Sequence, residues 1–290
     1  MVARMTTPSD ADPGALRTVD PATMRHLLLH EARIHAIPGR DLRDLGDAIL
    51  LHDPVEPEPF WNRLEAVRWP DDPAGFDRRL TEVLVLFASL GRLPHIWVAP
   101  AHDSPVDLVE RLIANGFRDM GPGDVMVLAD PAPALRAASQ SLPHDVTIER
   151  LAGLSGTTAE GASSAIVEVL IDAFDVDAGR RPTIEAETVV SVGHPWFTHY
   201  LVRVGGRPAS VARRATFDRA TYISSIGTAA WARGRGFGGL VTRLASADGL
   251  LAGSDWVYLG VFADNQGAIG VYERSGFERV GESCPDLMLI

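Results

Sequence analysis

Residues 231–277 read WARGRGFGGLVTRL (231–244), DWVYLGVFADN (255–265) and QGAIGVYERSGF (266–277). The first piece is a glycine-rich turn that opens a helix. Glycines let a backbone approach a ligand closely. Successive amide N–H groups at a helix N-terminus, with the positive end of the helix dipole behind them, bind phosphate oxygens. Arg233 and Arg235 add positive charge at the same spot. The second piece is apolar on both faces, as a central parallel strand is. The third places Tyr272 on a short helix that Asp264 or Asn265 caps and Gly276 closes. A phosphate cradle and a nearby proton donor, joined by a buried strand, point to transfer of a group from a phosphate-bearing carrier.

Outward from this stretch, a helix over 236–251 puts Leu240, Leu244, Ala247 and Leu251 on one stripe. Upstream, THYLVRV and RPASVARRATF flank Gly205–Gly206 in a hairpin pattern, and ATYISSIGT leads into the glycine turn. A helix is expected over 160–176, with Ala165, Val169 and Phe174 near one face, and irregular chain over 177–196. Residues 129–145 are rich in Pro, Ala and Ser and read as a linker, after which the strand DVTIERL begins.

The first half repeats the second in worn form. SPVDLVERLIANGFRDMG (104–121) lies over DNQGAIGVYERSGFERVG (264–281), HIWVAP (95–100) over VYLGVF (257–262), and WPDDPAGF (69–76) over WARGRGF (231–237). The offset is about 160 residues throughout, which marks a duplicated domain rather than a solenoid. The expected division is a flexible tail over 1–19, a degenerate lobe over 20–130 beginning with a helix near 21–36, a linker over 131–145 and a catalytic lobe over 146–290.

With 290 residues the chain is long enough for two domains. A net charge of −11 argues against a large nucleic-acid surface, which needs a basic face. The lone cysteine, Cys284, excludes an intrachain disulfide and zinc sites of the paired-cysteine kind, and it fits a reducing cytoplasm. The opening MVARMTTPSDADPGAL lacks the apolar core of a signal peptide, and no run of about 18 apolar residues predicts a membrane span.

In order and spacing, these pieces resemble the GCN5-related N-acetyltransferase (GNAT) family. The glycine turn Arg233-Gly234-Arg235-Gly236-Phe237-Gly238 stands where that family carries its pyrophosphate-binding signature, and Gly239 continues it. Asn265, Ala268, Tyr272 and Gly276–Phe277 follow as the family's second signature. The strong match spans about 145–290, and with the worn first copy the whole chain looks like a tandem member, similar in layout to mycothiol synthase. The resemblance implies an α/β (α+β) fold with a mixed sheet in each of two lobes, and transfer of an acetyl group from acetyl-CoA (coenzyme A) to a primary amine of a small molecule or peptide. It assigns Ile226, Gly227 and Thr228 to the pantetheine arm and makes Tyr272 the general acid toward the departing thiolate. Read without the family, Tyr272 is equally a core aromatic, Asn265 a helix cap, and Arg233 a solvated charge.

The general base has no obvious candidate, because the strand TYISSIGT carries no carboxylate. Asp218, His194, His199 and Glu187 stay open, as does a chain of water. Gly234-x-Gly236-x-x-Gly239 also fits a dinucleotide fingerprint, but too little chain follows for the further βα units such a fold needs. In the first lobe, Asp72-Pro73-Ala74-Gly75 replaces the arginine–glycine cradle, Leu112 stands at the place of Tyr272 and Pro105 at that of Asn265. One coenzyme per chain is therefore expected, in a cytoplasmic monomer or homodimer with no nucleic-acid or membrane partner. The alternative reading is a non-catalytic acyl-CoA sensor.

Overall fold

The computed structural model describes residues 18–290; the tail expected over 1–19 falls outside the described residues apart from Thr18 and Val19. Helix α1 (Pro21–Ala36) starts where Asp20 accepts hydrogen bonds from the amides of Ala22 and Thr23, a carboxylate cap ahead of a proline. The first half continues with β1 (Asp41–Asp44), β2 (Ile49–His52), β3 (Arg63–Glu65), α2 (Pro73–Leu90), β4 (His95–Trp97), α3 (Leu108–Ala114), β5 (Phe117–Asp119), β6 (Gly123–Leu128) and α4 (Ala132–Ala138). The second half comprises β7 (Val146–Leu151), α5 (Gly156–Phe174), α6 (Arg181–Gly193), β8 (Phe197–Val204), β9 (Arg207–Phe217), β10 (Ala220–Thr228), α7 (Phe237–Leu251), β11 (Trp256–Phe262), α8 (Gln266–Glu273), β12 (Phe277–Arg279) and β13 (Asp286–Leu289).

These strands form two mixed sheets, and each sheet borrows a strand from the other half of the chain. The first runs β1-β2-β3-β4-β13-β5, and the second β12-β6-β11-β10-β9-β8-β7. Strand β6 inserts antiparallel between β11 and β12, pairing Val127 with Tyr258 on one side and with Glu278 on the other. In return β13 inserts antiparallel between β4 and β5, pairing Leu287 with Ile96 and with Asp119. The spatial lobes therefore cut across any division of the sequence near residue 130 or 146. Leu287, far along the chain in β13, is a core residue of the first lobe beside Leu50, Leu64, Phe76 and Phe87. Met126 is a core residue of the second beside Leu240, Leu244, Tyr272 and Phe277.

Three sequence expectations change. Residues 177–196 are not irregular: Pro182, set in the first turn, lets α6 form, and Thr188, Ser191 and Val192 are buried. The linker region holds α4, started by Pro131 and Pro133, which packs on α7. Strand β11 is parallel only to β10, because its other neighbour is the exchanged, antiparallel β6.

Helix α1 lies between the sheets. Its Leu27 and Leu28 share one buried cluster with Ile49 of the first lobe and with Tyr222 and Tyr258 of the second. Polar groups cross the same layer. Buried Glu31 accepts from the Tyr222 hydroxyl (3.1 Å), stands 3.3 Å from His35 Nε2, and lies 3.7 Å from Arg63. Tyr258 donates to the Leu27 carbonyl (2.9 Å). No helix among the described residues is long and apolar enough to cross a membrane.

Candidate active site

Strands β10 and β11 run side by side only from Ala220–Trp256 to Tyr222–Tyr258. Beyond that point β10 stays with β9 out to Thr228, and β11 stays with β6 out to Phe262. The register of β10 slips between Ser224 and Gly227, and Ser225 sits at φ 51°, a left-handed conformation costly for a non-glycine residue. The bulge steers the two strands apart and opens the sheet into a cleft.

A cavity of about 760 Å³ occupies that cleft. Ile226, Gly227 and Thr228 form one wall, Gly234, Gly236, Phe237, Gly238 and Gly239 the base, and Asn265, Ala268 and Tyr272 the opposite wall. Gly234 (φ +74°) and Gly236 (φ +81°) turn the chain into α7 through left-handed conformations that no other residue adopts cheaply. No heavy atom lies within 4 Å of where a Cβ would stand on either glycine. No side chain caps α7, so the amides of its first turn face the cavity without an intramolecular acceptor from a cap.

Two arginines differ from expectation. The Arg233 side chain reaches the cavity wall, but its guanidinium is bound to the carbonyls of Thr228 (3.3 Å), Asp172 (3.5 Å) and Ala173 (3.1 Å). The last two belong to the final turn of α5, whose negative dipole end favours a cation. Arg235 does not line the cavity; its guanidinium lies over the Phe237 ring, 4.9 Å from the centroid. Positive potential at the glycine turn thus comes mainly from the helix end, not from arginine side chains pointing inward.

Asn265 caps α8, its Oδ1 accepting from the Ala268 amide at 3.1 Å. Tyr272 is only 7% exposed, and its hydroxyl has no hydrogen-bond partner among the described residues. Burial pushes its phenol up to about 12, so it holds its proton throughout the physiological range. Sequence reasoning missed Ala173 and Phe174 in the walls because α5 approaches the site only in three dimensions; it also passed over Val271 and Arg274, which flank Tyr272 on and just after α8.

A second, smaller cavity of about 270 Å³ lies across the bulge. Ser225 lines it, and Phe174 stands in the walls of both. Both lobes build it: Glu56 and Trp61 come from the first, and Arg180, Glu187, His199 and Arg213 from the second. Of the four open base candidates, Glu187 and His199 line this cavity. His199 hydrogen-bonds Ser191 Oγ (2.9 Å), and burial drives its imidazole down to about 3, which leaves it neutral and a poor proton acceptor. Glu187 pairs with Arg40. Asp218 pairs with Arg33, and His194 stacks edge-on with Trp196; neither lines either of these two cavities.

The same cleft in the first lobe is closed by its own chain. Ala66 (φ 55°), just past β3, repeats the left-handed conformation of Ser225. Asp72, however, caps α2 by accepting from the Gly75 amide (2.7 Å), which takes up a helix-end donor. Ser104 then pairs into the gap beside β3, its amide donating to the Val67 carbonyl and its carbonyl accepting from Trp69 N, each at 3.0 Å.

A glycine-started helix beside two splayed central strands, with a strand inserted next to them from a twin lobe, is the tandem form of the GNAT fold. Residues 165–277, all within the second half of the chain, match the model of the acetyltransferase (GNAT) family. Solved structures share the two-lobed arrangement. A GCN5-related N-acetyltransferase from Kribbella flavida is 23% identical, with a TM-score of 0.63 over 90% of this chain and 94% of that one. One from Sphaerobacter thermophilus is 17% identical, with a TM-score of 0.58 over 94% of each chain. A tandem GNAT protein from the clavulanic acid biosynthesis pathway is 16% identical, with a TM-score of 0.58 over 89% of this chain and 86% of that one. No curated protein matches the chain.

Proposed function

We propose that the second lobe transfers an acetyl group from acetyl-CoA to a primary amine of a small molecule, and that each chain binds one coenzyme. The observation that carries this reading is the cleft itself: uncapped helix amides and left-handed glycines at its base, an unpaired strand edge along one wall, and an unpartnered phenol on the other. Amides of the first turn of α7 would hold the pyrophosphate, and the open edge of Ile226–Thr228 would hold the pantetheine arm in a strand-like way. When bound, acetyl-CoA supplies the acyl group already activated as a thioester. Tyr272 then acts as general acid, giving its hydroxyl proton to the departing sulfur. Its raised pKa keeps that proton available, and the absence of a competing partner leaves the hydroxyl free to turn. The amine enters from the second cavity and meets the first at the bulge. Glu187, the only carboxylate among the four base candidates that lines this cavity, is placed to take its proton directly or through water.

The first lobe has its helix end capped by Asp72 and its strand gap filled by Ser104, which supports a stoichiometry of one. Calorimetry with acetyl-CoA tests the core of the reading. The full chain is expected to bind one equivalent, and Gly236→Asp to abolish binding by placing a carboxylate at the turn. Unchanged affinity in that variant would remove the basis for the assignment.

A further inference from the structure

Among the described residues, Arg213 is the one charged side chain of the second cavity with no oppositely charged group within ion-pair distance; its guanidinium lies over the Phe197 ring, 5.2 Å from the centroid, and Glu187 attracts it only from further off. It sits in the middle of β9, opposite His199 of β8 and Ser224 of β10, so the three form one cross-strand row beside the bulge. Its Nε donates to Ser224 Oγ at 3.0 Å. Neither terminal nitrogen has a hydrogen-bond partner, and no carboxylate lies within ion-pair distance, among the described residues. His199 beside it is neutral and adds no second positive charge.

Neighbouring buried guanidiniums are treated otherwise. Arg40 is held between Asp53 and Glu187, and Arg63 between Glu65 and Glu31. A desolvated guanidinium does not lose its proton, and without a partner it is costly. Burial lowers the pKa of Arg213 without neutralising it. An unpaired planar fork facing a cavity is a seat for a carboxylate, which it grips through two parallel hydrogen bonds.

The rest of the cavity limits what carries that carboxylate. Glu187 gives one oxygen to Arg40 and keeps the other, and Glu56 is held only loosely, 3.9 Å from Arg180. Two acids and two arginines line the cavity, so it is electrically balanced and suits a molecule with one charge of each sign. A phosphate, with close to two negative charges, would meet the two glutamates with a single free cation to offset it. At about 270 Å³ the space takes a molecule of amino-acid size.

We propose that the acceptor is a small amino carboxylate, seated in the second cavity with its carboxylate on Arg213 and its amine toward Ser225 and Glu187. This rests on the acetyl-transfer reading of the neighbouring cleft and specifies its substrate class.

The experiment uses the full chain and a matched panel: L-serine, L-methionine, L-phenylalanine and L-lysine, each beside its primary amide and its decarboxylated amine. Binding is measured by calorimetry with and without coenzyme A, and turnover by thiol release from acetyl-CoA. At least one acid is expected to bind and react about 10- to 10²-fold better than its amide or amine, the scale of one charge-assisted pair. Arg213→Gln should erase that preference while coenzyme A affinity stays unchanged, and Arg213→Lys should keep part of it. Equal binding of acid and amide, an unchanged preference in Arg213→Gln, or no binding by any acid at millimolar concentration would overturn the proposal. If Arg213→Gln fails to fold, the wild-type acid–amide comparison and Arg213→Lys decide. Failure of coenzyme A to bind would refute the acetyl-transfer reading instead, and it leaves the direct acid–amide comparison to judge Arg213 separately.

Discussion

A fragment of residues 146–290 contains every residue assigned to the coenzyme cleft, yet it is expected not to fold. It lacks β6, which lies inside the second sheet between β11 and β12. Removing that strand takes away Val125, Met126 and Val127, all of them under 5% exposed in the intact chain, and uncovers the side chains packed against them. Each such side chain contributes about 1.5–3 kcal/mol through burial, so the three together contribute roughly 5–9 kcal/mol. The backbone ladders of β11 and β12 lose their partner in addition, and a sheet edge is left open to pairing with other chains. The whole stability of a domain is about 5–15 kcal/mol, so the loss consumes most or all of it. Circular dichroism melts and size-exclusion chromatography of the fragment should show no cooperative transition and a tendency to aggregate. A fragment of 146–283 followed by a short loop and residues 120–131 restores the strand at the same place and should recover a transition. A fragment 146–290 that melts cooperatively and binds acetyl-CoA with full-chain affinity would refute the argument.

Truncation after Cys284 should have a reciprocal effect, unfolding the first sheet through loss of Leu287 and Met288, with a fall in melting temperature as the readout. Tyr272→Phe should lower kcat by about 10²-fold while leaving acetyl-CoA affinity intact by calorimetry; wild-type turnover would make it a core residue only. Because the Tyr272 phenol is pushed up to about 12, kcat should show no alkaline fall from its ionisation up to about pH 10 in a rate profile. His30, His35 and His102 are each held near 4, and His199 near 3, against 6.5 when unfolded, so the unfolded chain binds more protons and stability is lost as pH falls from 6.5 toward 4. Asp103, raised to about 8, and Glu65, also raised, act in the opposite sense, while the lowered carboxyls of Glu31 and Asp248 add to the histidines; a net loss of stability as pH falls from 6 to 4.5 should appear in urea titrations.

The cleft proposed for the coenzyme was legible because each of its parts is local. A glycine turn, a helix stripe and an asparagine cap each announce themselves in a short window, and Gly236, Asn265 and Tyr272 all line one cavity. The role of Arg233 was not legible, since the carbonyls that bind it belong to α5, some sixty residues earlier. Helix α6 was hidden by Thr183, Thr188, Val189 and Val190, β-branched residues that favour strands, and by a proline that tertiary contacts place harmlessly in its first turn. The exchange of β6 and β13 left no signal at all. GDVMVL and DLML are short apolar strands whose side-chain pattern satisfies either sheet, so the choice of partner is made by geometry beyond any sequence window. The second cavity stayed invisible for the same reason: Trp61 and Arg213 meet only when the two lobes do.

The exchanged strands also govern the order in which the molecule can be made. During synthesis the first lobe emerges with β4 and β5 unable to pair directly, since the strand that lies between them is formed by residues 286–289 of 290. Its sheet stays incomplete until residues 286–289 have left the ribosome, and the two lobes close together only then. Folding should therefore be a single late event dominated by long-range pairing, slow for its size and exposed to aggregation in the interval. The same interlock explains how the first lobe can have its own cleft sealed by Asp72 and Ser104 and still be indispensable. The turn that starts α2 is free to change, while the six residues of β6 that the lobe lends to its twin are not.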